Sequence, residues 1–272
     1  MPPEGFFLAK GLEGYSFDSI LNIEGLNIEG RVIRAQKNRR TVRFEREGRG
    51  YFAKIHRGVS FWEIFKNLFQ LKLPVLGARN EMRAILRLKE LGIPTMELAG
   101  YGERGLPPAW LESFVITKEI ENALSLEELS KEWISSPPPF ALKSALIKKL
   151  AHISRTLHGN GVNHRDYYIC HFLLDKEGLE RKEYDRLNIR VIDLHRVQLR
   201  KRTPVRWIVK DLAGLYFSSM DLGLSKRDRL RFIKAYSLKP LRSVLRDEKG
   251  FWAKVEKRAV RLYEKHRRRK RG

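Results

Sequence analysis

Four ionisable residues follow one another in an order that suits phosphoryl transfer: Lys54 in Phe52-Ala53-Lys54, Glu81, Asp166 in Asn163-His164-Arg165-Asp166, and Asp193 in Val191-Ile192-Asp193-Leu194-His195. Moving a phosphoryl group asks for neutralised charge and fixed positions more than for covalent help. A lysine can hold nucleotide phosphates and a glutamate can fix its ammonium. One aspartate can bind Mg²⁺ bridging those phosphates, and the other can accept the proton of the attacking hydroxyl. Singly, each residue has an ordinary explanation. Lys54 would be an edge-strand cation, Glu81 a surface helix carboxylate, Asp193 a turn cap, and His164-Arg165-Asp166 a chance tripeptide. The set in this order, each member in the element its task requires, calls for a common explanation.

The elements that must position these residues can be read from periodicity. Thr41 to Phe44 and Tyr51 to Ile55 are β-rich runs about the turn Glu47-Gly48-Arg49-Gly50, with an earlier strand around Asn27 to Ile33. Phe61, Ile64, Phe65 and Leu68 mark a helix from Phe61 to Leu73. A second helix runs from Arg79 to Leu91, with Gly92 as its C-cap and Pro94 beyond. Strands follow at Thr95 to Gly100 and Ser113 to Lys118, then a capping box at Ser125-Leu126-Glu127-Glu128. Leu142, Leu146, Leu150, Ile153 and Leu157 trace a long helix ending at Gly159-Asn160-Gly161. Short strands are expected at His171 to Leu174 and Ile189 to Leu194, helices from about Arg206, and a basic helix or tail at Arg261 to Arg271. A strand-rich N-lobe (1–118) before a mostly helical C-lobe (119–272) is an α+β layout forming one catalytic domain.

The segment 163–171 follows a long helix and precedes a short strand, the setting of the H-R-D-x-x-x-x-N catalytic loop of protein kinases. Asp193 stands where the D-F-G aspartate would, and Lys54 resembles the lysine of V-A-I-K. Asn163 to Asp166, the continuation Cys170-His171-Phe172-Leu173-Leu174, Val191 to His195 and Lys210-Asp211-Leu212-Ala213-Gly214-Leu215 together resemble the lipopolysaccharide kinase family of Gram-negative bacteria. The likeness runs over nearly the whole chain. It implies a two-lobed protein-kinase-like fold, ATP with Mg²⁺, and transfer of the γ-phosphoryl to a hydroxyl of the first heptose of the lipopolysaccharide inner core. It implies Asp166 as the catalytic aspartate, with His164 and Arg165 completing its motif. Asp211 resembles the helix aspartate that braces a kinase catalytic loop; an N-cap or surface charge is the other reading.

The chain departs from protein kinases in three places. No G-x-G-x-x-G is present; the corresponding turn is Arg34 to Arg40, where Lys37 and Arg39 are expected to meet the phosphates in place of backbone amides. His171 occupies the second metal position, normally asparagine; Mg²⁺ prefers oxygen, so a hydrogen bond near the site suits His171 better than ligation. No A-P-E follows Asp193, and the basic run Arg196 to Arg206 is short for an activation loop, which favours a non-protein acceptor over a protein kinase and leaves a kinase of another inner-core sugar as the other reading within the class. Cys170 is expected to be a small packed residue, and His56 and His195 to support the site strands.

Composition bounds the rest. With 272 residues and one cysteine, a disulfide scaffold is excluded and a reducing, cytoplasmic setting is expected. Met1 to Lys10 carry no secretory pattern, and no apolar run is long enough to span a membrane. The net charge of +23 asks for a polyanionic partner. Nucleic acid is one class, but no recognition signature accompanies the charge and the Lys54 to Asp193 set would go unexplained. ATP, a phosphorylated lipid saccharide and an anionic membrane surface fit instead. The Phe61 to Leu73 helix reads equally as one buried beside the helix of Glu81 or as one lying on that membrane, and the tail Arg267 to Arg271 as a solvated charge run or as a contact for lipid phosphates. A small acidic protein carrying an acyl chain is a further expected partner, its chain filling an apolar groove.

Overall fold

In the computed structural model, the described residues are 5–23, 31–36, 39–58, 77–105 and 110–271. The expected helix at 61–73 lies outside them, as does Lys37. The chain divides into two compact units. One is built from the described residues of Met1–Glu90, from those of Thr95–Glu121 and from Asp193–Arg196; the other contains Leu91–Pro94, Asn122–Ile192 and Val197–Gly272.

The first unit carries an antiparallel sheet of six strands: β1 (Phe6–Leu8), β2 (Arg31–Gln36), β3 (Arg39–Arg46), β4 (Arg49–His56), β5 (Leu98–Arg104) and β6 (Glu112–Lys118). Their order across the sheet is β1-β5-β6-β4-β3-β2. β3 and β4 form a tight hairpin in which Arg46 opposes Arg49. That leaves a two-residue loop, Glu47-Gly48, with φ of 52° and 70°, as a primed turn requires. β4 alternates by face: Tyr51, Ala53 and Ile55 are buried in a core with Val42, Phe44, Phe114 and Ile116. Period two therefore sends Phe52, Lys54 and His56 to the opposite face. Pairing of β2 with β3 reaches Gln36 and Arg39, so the loop expected over Arg34 to Arg40 is mostly strand. β5 begins at Leu98 and runs to Arg104, later than the expected Thr95 to Gly100, and β1 and the short helix Phe17–Leu21 were not expected from the sequence.

The second unit is mostly helical. The helix Phe140–Gly159 buries the stripe Leu142, Leu146, Leu150, Ile153 and Leu157. Gly161 beyond it has φ 77°, and a Cβ there would fall 1.8 Å from the Arg200 carbonyl oxygen, so no other residue fits. β8 (Val162–Asn163) then pairs with β11 (Gln198–Leu199), and β9 (Phe172–Asp175) lies between β7 (Ala123–Ser125) and β10 (Ile189–Val191). β10 stops three residues short of the expected Leu194. The cause is local: Asp193 sits at φ 59°, which extended chain cannot accommodate. The helices Val205–Ser218 and Lys249–Arg271 pack together through Val209, Leu212, Ala213, Val255 and Ala259, so the basic C-terminal run is the end of a 23-residue helix.

Candidate active site

Within the strand-rich unit, Lys54, Glu81 and Asp193 meet. Lys54 Nζ lies 2.6 Å from Glu81 Oε1 and 3.5 Å from Asp193 Oδ1. Glu81 stands in the first turn of the helix Arg79–Glu90, where the helix dipole favours an anion. It is 1% exposed, and its Oε2 has no hydrogen-bond partner among the described residues. A buried carboxylate in that state depends on its one cation. His195 Nδ1 donates to Asp193 Oδ1 at 2.6 Å, and Asn80 Nδ2 donates to the His195 carbonyl at 2.9 Å. Asn80 precedes Glu81 on the same helix, so a ring of contacts closes from Lys54 through Glu81, Asn80 and His195 to Asp193 and back.

His56 shares the Lys54 face of β4 and is buried. Its pKa is pushed down to about 3, first by burial and then by the positive charges of Arg39 and Lys54. It therefore stays neutral beside the lysine. Arg39 is the register partner of His56 on β3. The structure thus brings Arg39 to the cationic side of this face.

The helical unit holds the second set. Asp211, midway along the helix Val205–Ser218, is 1% exposed and accepts the backbone N–H of His164 at 2.6 Å and of Arg165 at 2.8 Å. Of the two readings of Asp211, the brace is the one the geometry selects. It holds Arg165 at φ 75°, a conformation that costs a residue with a Cβ about 1–3 kcal/mol. The helix lies close beneath the loop, since a Cβ at Gly214 would fall 3.0 Å from the Tyr167 carbonyl oxygen. His164 Nε2 donates to the Ile192 carbonyl at 3.0 Å, and His171 Nδ1 donates to the Asp166 carbonyl at 2.7 Å. The two imidazoles stack with centroids 5.8 Å apart. Tyr167 is buried, and its hydroxyl, 2.9 Å from Ser154 Oγ, has its pKa raised by that burial. Asp166 is half-buried at the centre of these contacts, and Cys170 is half-buried beside the fully buried Phe172.

Sequence reasoning underrated His195 and missed Asn80. A histidine two residues after the aspartate was a signal for the first; nothing local pointed to the second. Among the described residues no group of three or more His, Cys, Asp or Glu is placed to hold a metal ion. No described helix is long and apolar enough to cross a membrane.

A lysine on an antiparallel strand paired to a helix glutamate, and a separate helical unit with a braced H-R-D loop, define a protein-kinase-like phosphotransferase. Residues 25–236 match the lipopolysaccharide kinase (Kdo/WaaP) family. The lipopolysaccharide core heptose(I) kinase WaaP of Pseudomonas aeruginosa is 51% identical over 241 residues, 89% of each chain. That of Escherichia coli K12 is 45% identical over 248 residues, covering 91% of this chain and 92% of its own. A solved structure of WaaP in complex with acyl carrier protein superposes with a TM-score of 0.77 at 42% identity, covering 95% of this chain and 99% of that one. The chain belongs to the lipopolysaccharide kinase (Kdo/WaaP) family. It is a kinase with an α+β, protein-kinase-like fold, and ATP is the donor the family implies.

Proposed function

We propose that this chain transfers the γ-phosphoryl of ATP to a hydroxyl of the first heptose of the lipopolysaccharide inner core. The observation that carries the reading is the meeting of Lys54, Glu81 and Asp193 in a chain so similar to named heptose(I) kinases. Lys54 holds the α- and β-phosphates, and Glu81 fixes its ammonium. Asp166 takes the hydroxyl proton as the sugar oxygen bonds to phosphorus, while the bridging oxygen leaves with its electron pair as ADP. Lys37 and Arg39 add positive charge at the phosphates in place of a glycine-rich loop. His164 and Arg165 shape the loop, and His171 steadies it through the Asp166 carbonyl. The oxygen donors of Asp193 suit Mg²⁺, whose other ligands are commonly phosphates and water; the ion would neutralise charge on the phosphates. The imidazole of His171 suits it poorly.

The Asp166→Ala variant tests the assignment. Phosphate mapping by mass spectrometry on core oligosaccharide should give turnover about 10²–10⁴-fold lower, with an unchanged melting temperature. Activity within a few-fold of the parent removes Asp166 from the reaction.

The partners follow from charge and apolar surface. The helical unit contains an apolar cavity of about 430 Å³ lined by Leu146, Leu150, Leu212, Leu215, Phe232 and Trp252 among others. An acyl chain suits it, and a small acidic carrier protein suits the +23 charge; the relative solved with acyl carrier protein supports this partner. The basic end of the helix Lys249–Arg271 suits peripheral attachment to an anionic membrane at the cytoplasmic face, each cation contributing ~1 kcal/mol. Sedimentation with anionic but not neutral vesicles, relieved by salt, is the expected result; equal binding to both would remove the membrane from the account.

A further inference from the structure

Four cations surround one indole in the helical unit. Arg165 Cζ, Arg200 Cζ, Arg206 Cζ and Lys210 Nζ lie 5.4, 5.7, 5.5 and 5.3 Å from the centre of the Trp207 ring. They come from three separate segments: the catalytic loop, β11 with its following residue, and the first two turns of the helix Val205–Ser218. Gathering like charges is unfavourable, and Arg206 and Lys210, four residues apart on one helix, repel each other. Cation–π attraction to the shared ring offsets part of that repulsion. Arg200 donates to neutral oxygens, Asn163 Oδ1 at 2.6 Å and Gln198 Oε1 at 2.7 Å. Its pKa is lowered, by burial first and by Arg206 second. Neither Arg200 nor Arg206 forms an ion pair among the described residues. Arg165, meanwhile, is held in its costly positive φ by two amide bonds to the buried Asp211, with its side chain directed to Trp207.

We propose that Arg165, Arg200, Arg206 and Lys210, ranged about Trp207, form an anion subsite that holds a carboxylate or phosphate of the acceptor saccharide. The inference rests on the reading that Asp166 serves the acceptor hydroxyl. Arg165 is the residue before Asp166, so an anion bound there belongs to the molecule whose hydroxyl Asp166 deprotonates. The nucleotide has its own cation, Lys54, in the other unit. The subsite therefore selects a sugar that carries negative charge close to the reacting heptose, and it rejects a neutral one.

The test uses the full chain with Arg206→Gln, Lys210→Gln and the double variant, and Arg206→Lys as the charge-conserving control. Three substrates are compared: inner-core oligosaccharide, the same with its carboxyls reduced, and the same with its phosphates removed. Each lost cation should raise the acceptor KM about tenfold, while the KM for ATP moves less than about twofold. Arg206→Lys should restore most of the affinity. The trimmed core that lacks the anchoring group should bind the parent about tenfold more weakly and be indifferent to the double variant, which identifies carboxylate or phosphate as the source. Calorimetric binding of the three cores is read alongside, without turnover. Unchanged acceptor affinity in the double variant, equal binding of all three cores, or a rise in the ATP KM instead would each overturn the subsite. A parent chain that binds core but places no phosphate on heptose strikes the reading of the reaction and leaves the subsite standing.

Discussion

The two groups of candidate site residues are held by different means. In the strand-rich unit, Lys54, Glu81, Asp193 and His195 hold one another through side-chain ion pairs and a hydrogen bond. In the helical unit, the loop bearing Asp166 is held by its backbone, with two amides fixed on one buried carboxylate. The first arrangement suits a site whose ligand is itself highly charged, because the ligand can take over the contacts of the lysine. The second suits a group whose position must not change when substrate arrives. Charge-conserving or charge-cancelling substitutions should therefore be partly tolerated in the first region and not in the second.

The largest effect is expected at Asp211. Asp211→Ala takes the carboxylate acceptor from the buried N–H of His164 and the part-buried N–H of Arg165 and removes the restraint on Arg165. His158 Nε2, 3.6 Å from Asp211 Oδ2, loses its neighbour as well. Each N–H left unsatisfied costs about 1–3 kcal/mol, and a loop displaced by an ångström can cost ~10²-fold in kcat. Asp211→Asn should rescue little, because its amide group turns a donor toward one of the two donors. Thermal unfolding and single-turnover kinetics check both; full kcat in Asp211→Ala would end the idea of a brace.

Lys54 should behave differently. Lys54→Met strands the buried Glu81 carboxylate and is expected to destabilise the chain by about 3 kcal/mol. Adding Glu81→Gln should recover most of that stability by removing the uncompensated charge, while ATP binding stays weak. A double-mutant cycle in urea measures the recovery. A double variant no more stable than Lys54→Met would mean that charge pairing is not what holds this region.

A smaller effect is expected at His195, whose ring orients Asp193 through the Nδ1 hydrogen bond to Oδ1. Asn can present its side-chain N–H where Nδ1 stands, so His195→Asn should bind Mg·ATP within about threefold of the parent, and His195→Ala about tenfold more weakly. Calorimetry with and without Mg²⁺ separates the two. Equal loss in both variants would assign the ring a packing role only.

This contrast was only half visible in the sequence. Lys54 and Glu81 were legible because strand alternation and a helical stripe locate each residue from its immediate neighbours. The brace was ambiguous because Asp211 is 46 and 47 residues from the amides it serves. No local pattern reports such a distance. The positive φ of Arg165 and Asp193 was equally hidden, since both are held by contacts and not by glycine, and it shortened the strand expected up to Leu194. The cation cluster on Trp207 draws on three segments, so the sequence presented its members as separate basic residues. The hairpin turn, by contrast, was written in Glu47-Gly48 itself.

The least effect at neutral pH, and the cleanest signature of the charge-held region, is expected from His56. Its folded pKa of about 3 lies below the ordinary 6.5, so the unfolded chain takes up a proton that the folded chain refuses. Above pH 6.5 the residue is neutral in both states and contributes nothing to the pH dependence. Below it, the folded state loses stability at a slope approaching 1.4 kcal/mol per pH unit, roughly, until the folded pKa is reached. His56→Leu deletes the titrating group and also a buried Nε2 that has no hydrogen-bond partner. Its stability at pH 7.5 should therefore match or slightly exceed that of the parent. Urea titrations of the two chains should diverge as pH falls from 6.5 to 4, with the variant losing less. Parallel curves over that range would mean that His56 accepts a proton in the folded state, and that the positive field of Lys54 and Arg39 on this face of the sheet is weaker than their placement implies.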